Sequence, residues 1–220
     1  MADRIICAVH TTRVVIDRVH RLLSKEFPDY KVIHLLDETL LEDFARLGGI
    51  DARVRRRLLS MLSSAEEAGA ALALVTCSSL GDAVYEVQRF VSVPVLKIDE
   101  GMAEEAVSRC RKIGVLATAK SASRGTIELI KGVAARQGKD VEVVPLICAD
   151  AAKHAANGPE DYNRYLSDEA AKHASEVDSI IVSQVSMCGI EDYLAPESGD
   201  KVLTALSFAI GKMRKILEGR

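Results

Sequence analysis

The sequence contains 220 residues, of which 48% are hydrophobic and only 4% aromatic, and its formal net charge is -3. This length and hydrophobic content are enough for one sizeable core or two small ones. The small negative charge gives no reason to expect a nucleic-acid partner. No apolar run approaches the roughly 18 residues that a membrane-spanning helix needs, so we expect no membrane partner.

The cysteines and the start of the chain indicate the compartment. The first residues lead directly from Met1 into a strand pattern, which is unlike a signal peptide. Five cysteines are scattered without a CxxC pair, a pattern typical of reduced thiols. The histidines are dispersed and lack metal-ligand spacing, and no GxGxxG or Walker motif is present. We therefore expect a cytoplasmic protein with no metal and no cofactor.

Apolar runs of strand length alternate with amphipathic helical stretches along the chain. The predicted strands are Arg4–Val9, Lys31–Leu36, Ala71–Thr76 and Val93–Lys97, then Lys112–Ala117, Val141–Leu146 and Ser179–Val185. The predicted helices are Val14–Phe27, Asp51–Ala68, Leu80–Val91, Asp99–Cys110, Ser123–Gln137, Asp161–Glu176 and Thr204–Leu217. Alternation of this kind predicts parallel sheets built from right-handed βαβ units.

The two series of strands predict an α/β fold with two similar lobes, each a small parallel sheet flanked by helices. We place the first lobe at residues 1–118 and the second lobe at residues 119–203. Residues 204–220 form a C-terminal helix that we expect to return to the first lobe. Ligands of open α/β sheets bind at the carboxyl ends of the strands. We therefore expect the active site in the cleft between the lobes.

The most informative motif is a strand that ends on a cysteine between hydroxyl residues, Leu72-Ala73-Leu74-Val75-Thr76-Cys77-Ser78-Ser79. Helical patterning resumes at Leu80, which predicts Ser78 or Ser79 as the N-cap. A helix N-terminus stabilises anions and can lower the pKa of a thiol from its reference of about 8.5. Cys77 is therefore a candidate nucleophile or proton-transfer group, although most free cysteines are simply small buried hydrophobes.

The second lobe contains a loose echo of this motif. The segment Val182–Met187 compares with Val75–Leu80, since both follow the apolar part of a strand. A match this loose is weak evidence for duplication by itself. If the lobes face each other, two such turns flank one cleft. The first turn presents Cys77, and the second presents Gln184, Ser186 or Cys188.

Five short segments follow one another along the chain: Val9-His10-Thr11-Thr12, Val75-Thr76-Cys77-Ser78-Ser79, Pro94-Val95-Leu96-Lys97, Ile113-Gly114-Val115-Leu116-Ala117-Thr118 and Val202-Leu203-Thr204. Together, and in this order, they resemble the aspartate/glutamate racemase superfamily, which includes hydantoin racemases, maleate isomerase and arylmalonate decarboxylase. The resemblance covers nearly the whole chain. It implies two facing lobes, no cofactor, and catalysis by cysteines that reach the substrate α-carbon from opposite sides. Cys77 matches the first of these cysteines.

The chain departs from that superfamily at the second cysteine. A family motif such as Gly-Cys-Thr, laid without gaps on Ser183–Met187, puts Gln184 at the cysteine position, and Cys188 follows four residues later. A helix places residues i and i+4 on one face, so Cys188 either reaches the site or points into the core. The first alternative favours a two-cysteine racemase or isomerase. The second favours a one-cysteine lyase or decarboxylase, or a non-catalytic protein that binds small carboxylates.

The chemistry that the resemblance implies sets the candidate site residues. Removal of a proton beside a carboxylate creates an enediolate, so the site needs a base, an opposing proton donor and donors to the developing charge. We expect Cys77 and Cys188 to transfer protons, and the N–H groups of Ser78 and Ser79 to hold the substrate carboxylate. The candidate substrate-binding residues are His10, Thr12, Thr76, Ser78, Ser79, Thr118, Ser121, Gln184, Ser186 and Thr204. We expect a homo-oligomer whose partner is a small carboxylate-bearing substrate.

Overall fold

The computed structural model describes residues 4–47 and 49–219, apart from the side chains of Ala45, Leu47, Asp82, Ser121 and Glu197. The strands are β1 (Arg4–His10), β2 (Tyr30–Leu36), β3 (Ala70–Val75), β4 (Val95–Lys97), β5 (Lys112–Ala117), β6 (Glu142–Ile147), β7 (Ser179–Val182) and β8 (Val202–Leu203). The helices are α1 (Ile16–Glu26), α2 (Thr39–Leu47), α3 (Ala52–Glu67), α4 (Gly81–Val87), α5 (Glu100–Arg109), α6 (Lys120–Gln137), α7 (Ala151–Ala156), α8 (Pro159–His173), α9 (Pro196–Gly199) and α10 (Ala205–Glu218). The 3₁₀ segments are Arg13–Val15, Ser78–Leu80, Gln88–Phe90 and Val185–Tyr193.

The strands form two sheets of four strands each, in the orders β2-β1-β3-β4 and β6-β5-β7-β8. The pairings within both sheets are parallel. These sheets, with helices between successive strands, confirm the predicted α/β fold. The order is the same in both sheets when β1 to β4 are matched with β5 to β8.

By its internal contacts the chain divides into two compact units. The first contains the residues up to Ile98 and those from Ala209 onwards, and the second is Asp99–Phe208. This division at 98/99 differs from the expected change of lobe at 118/119. The reason is that β5 pairs with β6 and β7, so it belongs to the second sheet. Helix α10 is divided, with its residues from Ala209 onwards in the first unit.

Helix α3 shows why the predicted helices form. The carboxylate of Asp51 accepts hydrogen bonds of 2.9 Å from the N–H groups of Arg53 and Val54, which satisfies donors that a helix start leaves open. The buried side chains recur at helical spacing and belong to the core of the first unit: Val54, Leu58, Leu62 and Ala65. In the second unit, Leu166 and Ala170 of α8 are buried in the core in the same way.

The sequence patterns do not predict β8, α2, α7 or α9. Strand β8 has two residues, α7 has six and α9 has four, so these elements are too short to show a repeating apolar pattern. In the described part of the chain, no helix combines the length and the hydropathy that crossing a membrane requires.

Candidate active site

Cys77 lies two residues beyond the carboxyl end of β3 and directly before the 3₁₀ turn Ser78–Leu80. Its backbone is extended, with φ -107° and ψ 109°, and its side chain is half-buried. The predicted cap is wrong, because Cys77 itself occupies the N-cap position while Ser78 and Ser79 lie inside the turn. The prediction that Cys77 stands where a strand gives way to a helical turn is confirmed.

Several hydrogen-bond donors favour the thiolate of Cys77. They are the hydroxyls of Thr11 and Ser79 and the N–H groups of Ser79 and Leu80. Burial has the largest effect and raises the pKa of Cys77. These hydrogen bonds lower the pKa, but by less than burial raises it. The predicted lowering of this thiol pKa is therefore wrong. The group rests as a neutral thiol at neutral pH, with donors already in place for negative charge that develops on sulfur.

His10, at the carboxyl end of β1, is fully buried. Its Nδ1 lies 2.9 Å from Oγ1 of Thr76, and its Nε2 lies 2.9 Å from Nδ1 of His34. Burial lowers the pKa of His10 to about 4, with a smaller contribution from His34, so the ring is neutral at neutral pH. The structure thus makes His10 and Thr76 partners of each other, and Thr76 is the residue that precedes Cys77.

The remaining hydroxyl candidates of the first unit lie near the same turns. Thr12 is the N-cap of the 3₁₀ turn Arg13–Val15, and its Oγ1 accepts a 3.4 Å hydrogen bond from the N–H of Val14. This bond assigns Thr12 the capping role that hydroxyl residues usually have beside a helix start. Ser78 is half-buried in the turn that follows Cys77.

The structure brings Thr118 and Gln184 together at the carboxyl ends of β5 and β7 in the second unit. Oε1 of Gln184 accepts a 2.9 Å hydrogen bond from the hydroxyl of Thr118 and a 3.4 Å bond from its N–H. Gln184 is half-buried and directly precedes the 3₁₀ helix Val185–Tyr193. These bonds orient its carboxamide.

The other candidates of the second unit have different environments. Cys188 is fully buried, and its Sγ lies 4.0 Å from the carbonyl oxygen of Gln184. Ser186 is exposed. Thr204 is buried, and its hydroxyl donates to the carboxylate of Glu191, a partner that the sequence did not indicate. The side chain of Ser121 lies outside the described residues.

Two backbone hydrogen bonds show which positions of the two sheets correspond. The N–H of Thr76 donates to the carbonyl of Val9, and the N–H of Ser183 donates to the carbonyl of Leu116, both at 3.0 Å. Because the sheets share one strand order, Thr76 corresponds to Ser183 and Val9 corresponds to Leu116.

The next residues along the chain extend this correspondence. One residue further on, Cys77 corresponds to Gln184, and each directly precedes a 3₁₀ segment. Directly after the first strand of each pair, Thr11 corresponds to Thr118. The hydroxyl of Thr11 lowers the pKa of Cys77, and the hydroxyl of Thr118 donates to Gln184. Threonines at corresponding positions therefore act on the side chain at each strand end.

Sequence reasoning missed Thr11 and the partners of His10. Thr11 follows β1, which pairs with β3, so its contact with Cys77 follows from the strand order rather than from any local motif. The strand order of a parallel sheet, had it been predicted, would have placed the residues that follow β1 beside those that follow β3.

Comparison with known proteins shows the family of the chain. The chain belongs to the Asp/Glu/Hydantoin racemase family, whose model matches residues 5–212, and this confirms the resemblance seen in the sequence. Comparison with curated proteins gives no significant match.

The fold is similar to those of several solved racemases. A glutamate racemase from Bacillus anthracis matches with a TM-score of 0.73 and 16% identity, over 100% of this chain and 83% of that one. The aspartate racemase of Picrophilus torridus gives 0.69 and 12%, over 98% of this chain and 94% of that one. An allantoin racemase from Klebsiella pneumoniae gives 0.71 and 12%, over 98% and 88% respectively. At these identities the likeness shows the fold alone.

Proposed function

We propose that the protein is a cofactor-independent racemase or isomerase that acts at the α-carbon of a small carboxylate or amino-acid derivative. The observation that carries this proposal is the Cys77 thiol at the end of β3, held by the hydroxyls of Thr11 and Ser79 and by two backbone N–H groups. Family membership supports it, and the similar solved structures are named as racemases of glutamate, aspartate and allantoin.

The environment of Cys77 suits a group that alternately gives and takes a proton. Because the pKa of Cys77 is raised, its side chain rests as a thiol and can donate its proton to an enediolate. The resulting thiolate is a correspondingly stronger base for an α-proton. Hydrogen-bond donors from Thr11, Ser79 and Leu80 lower the pKa of Cys77, so they stabilise the negative charge that proton donation leaves on sulfur.

The opposing proton-transfer group of a racemase would come from the second unit. Cys188 is the thiol candidate, in the 3₁₀ helix Val185–Tyr193 and four residues after its N-cap Gln184. Racemisation requires that one group removes the α-proton while the other delivers a proton to the opposite face, so charge moves from one sulfur to the other. The substrate carboxylate carries the enediolate charge between the two transfers.

A second candidate function is a one-cysteine lyase or decarboxylase. The burial of Cys188 and the correspondence of Gln184 with Cys77 favour it, because together they leave one thiol at the strand ends. In that reaction a dicarboxylate loses carbon dioxide, the bonding electrons form an enediolate, and the Cys77 thiol supplies the proton that forms the new C–H bond. The carboxamide of Gln184 would then donate to the substrate rather than exchange a proton.

Incubation in deuterium oxide tests the proposal. Enantiopure amino acids, their hydantoins and substituted malonates are each incubated with the protein and followed by NMR and chiral chromatography. Deuterium at the α-carbon together with the opposite enantiomer supports the racemase. Release of carbon dioxide with one enantiomer of the product supports the lyase instead. Binding without either reaction contradicts both and indicates a non-catalytic carboxylate-binding protein.

A further inference from the structure

Three histidines of the first unit form one hydrogen-bonded chain. Nε2 of His10 lies 2.9 Å from Nδ1 of His34, and Nε2 of His34 lies 3.0 Å from Nδ1 of His20. At the inner end, Nδ1 of His10 lies 2.9 Å from Oγ1 of Thr76. His10 is fully buried, His34 is half-buried and His20 is exposed. The chain therefore connects the core of the unit to solvent.

The hydroxyl of Thr76 sets the direction of these bonds. It donates to the carbonyl of Val9 at 3.2 Å, and a hydroxyl has only one proton to donate. Nδ1 of His10 therefore carries the hydrogen of the bond to Thr76, which leaves its Nε2 as an acceptor. A neutral imidazole has one donor and one acceptor, so Nδ1 carries the hydrogen in His34 and in His20 as well.

This chain takes up one proton without losing a hydrogen bond. An acid in solvent protonates Nε2 of His20, the Nδ1 hydrogen of His20 moves to Nε2 of His34, and the Nδ1 hydrogen of His34 moves to Nε2 of His10. Each ring that has passed on its Nδ1 hydrogen accepts at that nitrogen the bond that it previously donated. The reverse transfers return the proton to solvent.

We propose that His20, His34 and His10 form a proton relay from solvent to the strand ends that hold Cys77, and that they act as positioning residues for its thiol. The proposal rests on the proposed function for the role that it gives to Cys77. The relay ends at Thr76, the residue before Cys77, while Thr11, which follows His10, donates to the sulfur. A proton on His10 places positive charge beside Thr76 and Thr11. A positive charge near Cys77 favours its thiolate.

The electrostatics of the chain suit transient occupation by a proton. Burial lowers the pKa of His34, His20 lowers it further, and Asp17 on α1 raises it. Burial lowers the pKa of His10 more strongly, to about 4, with a smaller contribution from His34. The inner ring is therefore neutral at rest and holds a proton only briefly. Among the described residues, no group of three or more His, Cys, Asp and Glu side chains is arranged to hold a metal ion.

Protonation of Nε2 of His10, measured by ¹⁵N relaxation dispersion on protein with ¹⁵N-labelled histidine, tests the relay, because Nε2 is the atom that receives the proton. Exchange of Nε2 between its bare and its protonated form should be faster in the wild type than in His34→Asn, by an order of magnitude or more. The Asn amide replaces the Nδ1 donor to His10, but it cannot carry a proton onwards. His173→Asn, at a histidine of the second unit, is the matched control and should leave the rate unchanged.

The backbone amide of Val9 separates the relay from local opening of the fold, because it lies in the same strand as His10. Its exchange should be equal in the wild type and in His34→Asn. Equal rates of His10 Nε2 protonation in both proteins overturn the relay. If His34→Asn does not fold, His20→Asn interrupts the outer end of the chain and should slow the same protonation.

Alkylation of Cys77 by iodoacetamide, followed by mass spectrometry across the pH range around neutrality, tests the positioning role. His34→Asn should lower the rate of Cys77 alkylation, whereas His173→Asn should not. If Cys77 of His34→Asn is alkylated as fast as in the wild type at every pH, this role is overturned. The measurement needs no substrate, so its failure is distinct from failure of the proposed function. A protein with relay-dependent alkylation but no α-hydrogen exchange keeps the relay and contradicts the racemase.

Discussion

Beyond the end of β3 the first sheet presents the thiol of Cys77, whereas at the corresponding point beyond β7 the second sheet presents the carboxamide of Gln184. The backbone leading to the two residues is held by the same hydrogen bond, and a threonine donates to each side chain. The comparison teaches that the repeated topology fixes where a side chain appears. It leaves the choice of acid, base or amide to the single residue at that place.

The surroundings of the two strand ends differ as well. The register of β1 with β2 and of β5 with β6 matches His10 with Ala117, and it matches His34 with Pro145. Alanine and proline side chains have no proton to transfer. The proton relay that we propose for the first sheet therefore has no equivalent at these positions of the second. The difference concentrates titratable chemistry around Cys77.

Of the substitutions that test the difference between the two strand ends, Cys77→Ala should lower the reaction rate most. It removes the thiol from the first strand end, and loss of a general acid–base group lowers a rate by roughly 10²- to 10⁴-fold. The measurement is the rate of α-hydrogen exchange in deuterium oxide. Cys110→Ala is the control, since Cys110 is half-exposed but precedes β5 rather than following a strand. An active Cys77→Ala protein would contradict the assignment of the thiol.

Cys188→Ala asks whether the second unit supplies a thiol to the reaction. Under the racemase proposal it should abolish racemisation but leave stereospecific deuterium exchange from one enantiomer, because the other face keeps Cys77. Chiral chromatography of the deuterated product measures both. Cys148→Ala, at another fully buried cysteine of the second unit, is the matched control. A fully active Cys188→Ala protein combined with a weakened Gln184→Ala protein would support the one-cysteine lyase.

The buried imidazole of His10 makes the stability of the first unit depend on pH. Its pKa is about 4 when folded, against 6.5 when exposed, so the unfolded chain binds more protons between these values. Stability is therefore lost as the pH falls through this window, by about 3 kcal/mol in total. Urea unfolding of the wild type and of His10→Gln at a series of pH values measures the difference. Parallel curves for the two proteins would show that His10 does not contribute.

Thr11→Val and Thr118→Val form a matched pair with the smallest expected effects. Valine keeps the shape of threonine and removes the hydroxyl. Thr11→Val removes a donor to sulfur, so it should raise the pKa of Cys77 and lower the rate roughly tenfold, equivalent to about 1.4 kcal/mol. Thr118→Val removes a bond to a neutral amide and should cost about fivefold or less. Deuterium exchange rates measure both, and equal effects would contradict the asymmetry of the two strand ends.

Much of the fold follows from patterns that are visible in the sequence. Seven of the strands have enough apolar residues to be recognised, and the capping carboxylate of Asp51 marks the start of α3. The two-residue strand β8 cannot show a period, so it was missed. The position of Cys77 was predicted because its strand and the following helix are both clear. Its pKa was not, because burial depends on the packing of distant segments.

The contacts around the site were harder to predict. Thr11 meets Cys77 only because β1 lies beside β3, and the sequence separation of the two residues gives no indication of this. The histidine chain needs β1, β2 and α1 placed together before any of its bonds can form. Local patterns therefore located the candidate thiol. The groups that control its charge come from the register of the sheet, which no local pattern contains.

The shared bonds from Thr76 to Val9 and from Ser183 to Leu116 also make the molecule suitable for engineering. A side chain at a strand end of one sheet can be introduced by substitution at the corresponding strand end of the other, because the backbone there is held by the same hydrogen bond. Exchanging Cys77 with Gln184 would move the thiol to the opposite half of the chain while its composition stays constant. The strand end of each sheet thus shows which positions to change when the other is redesigned.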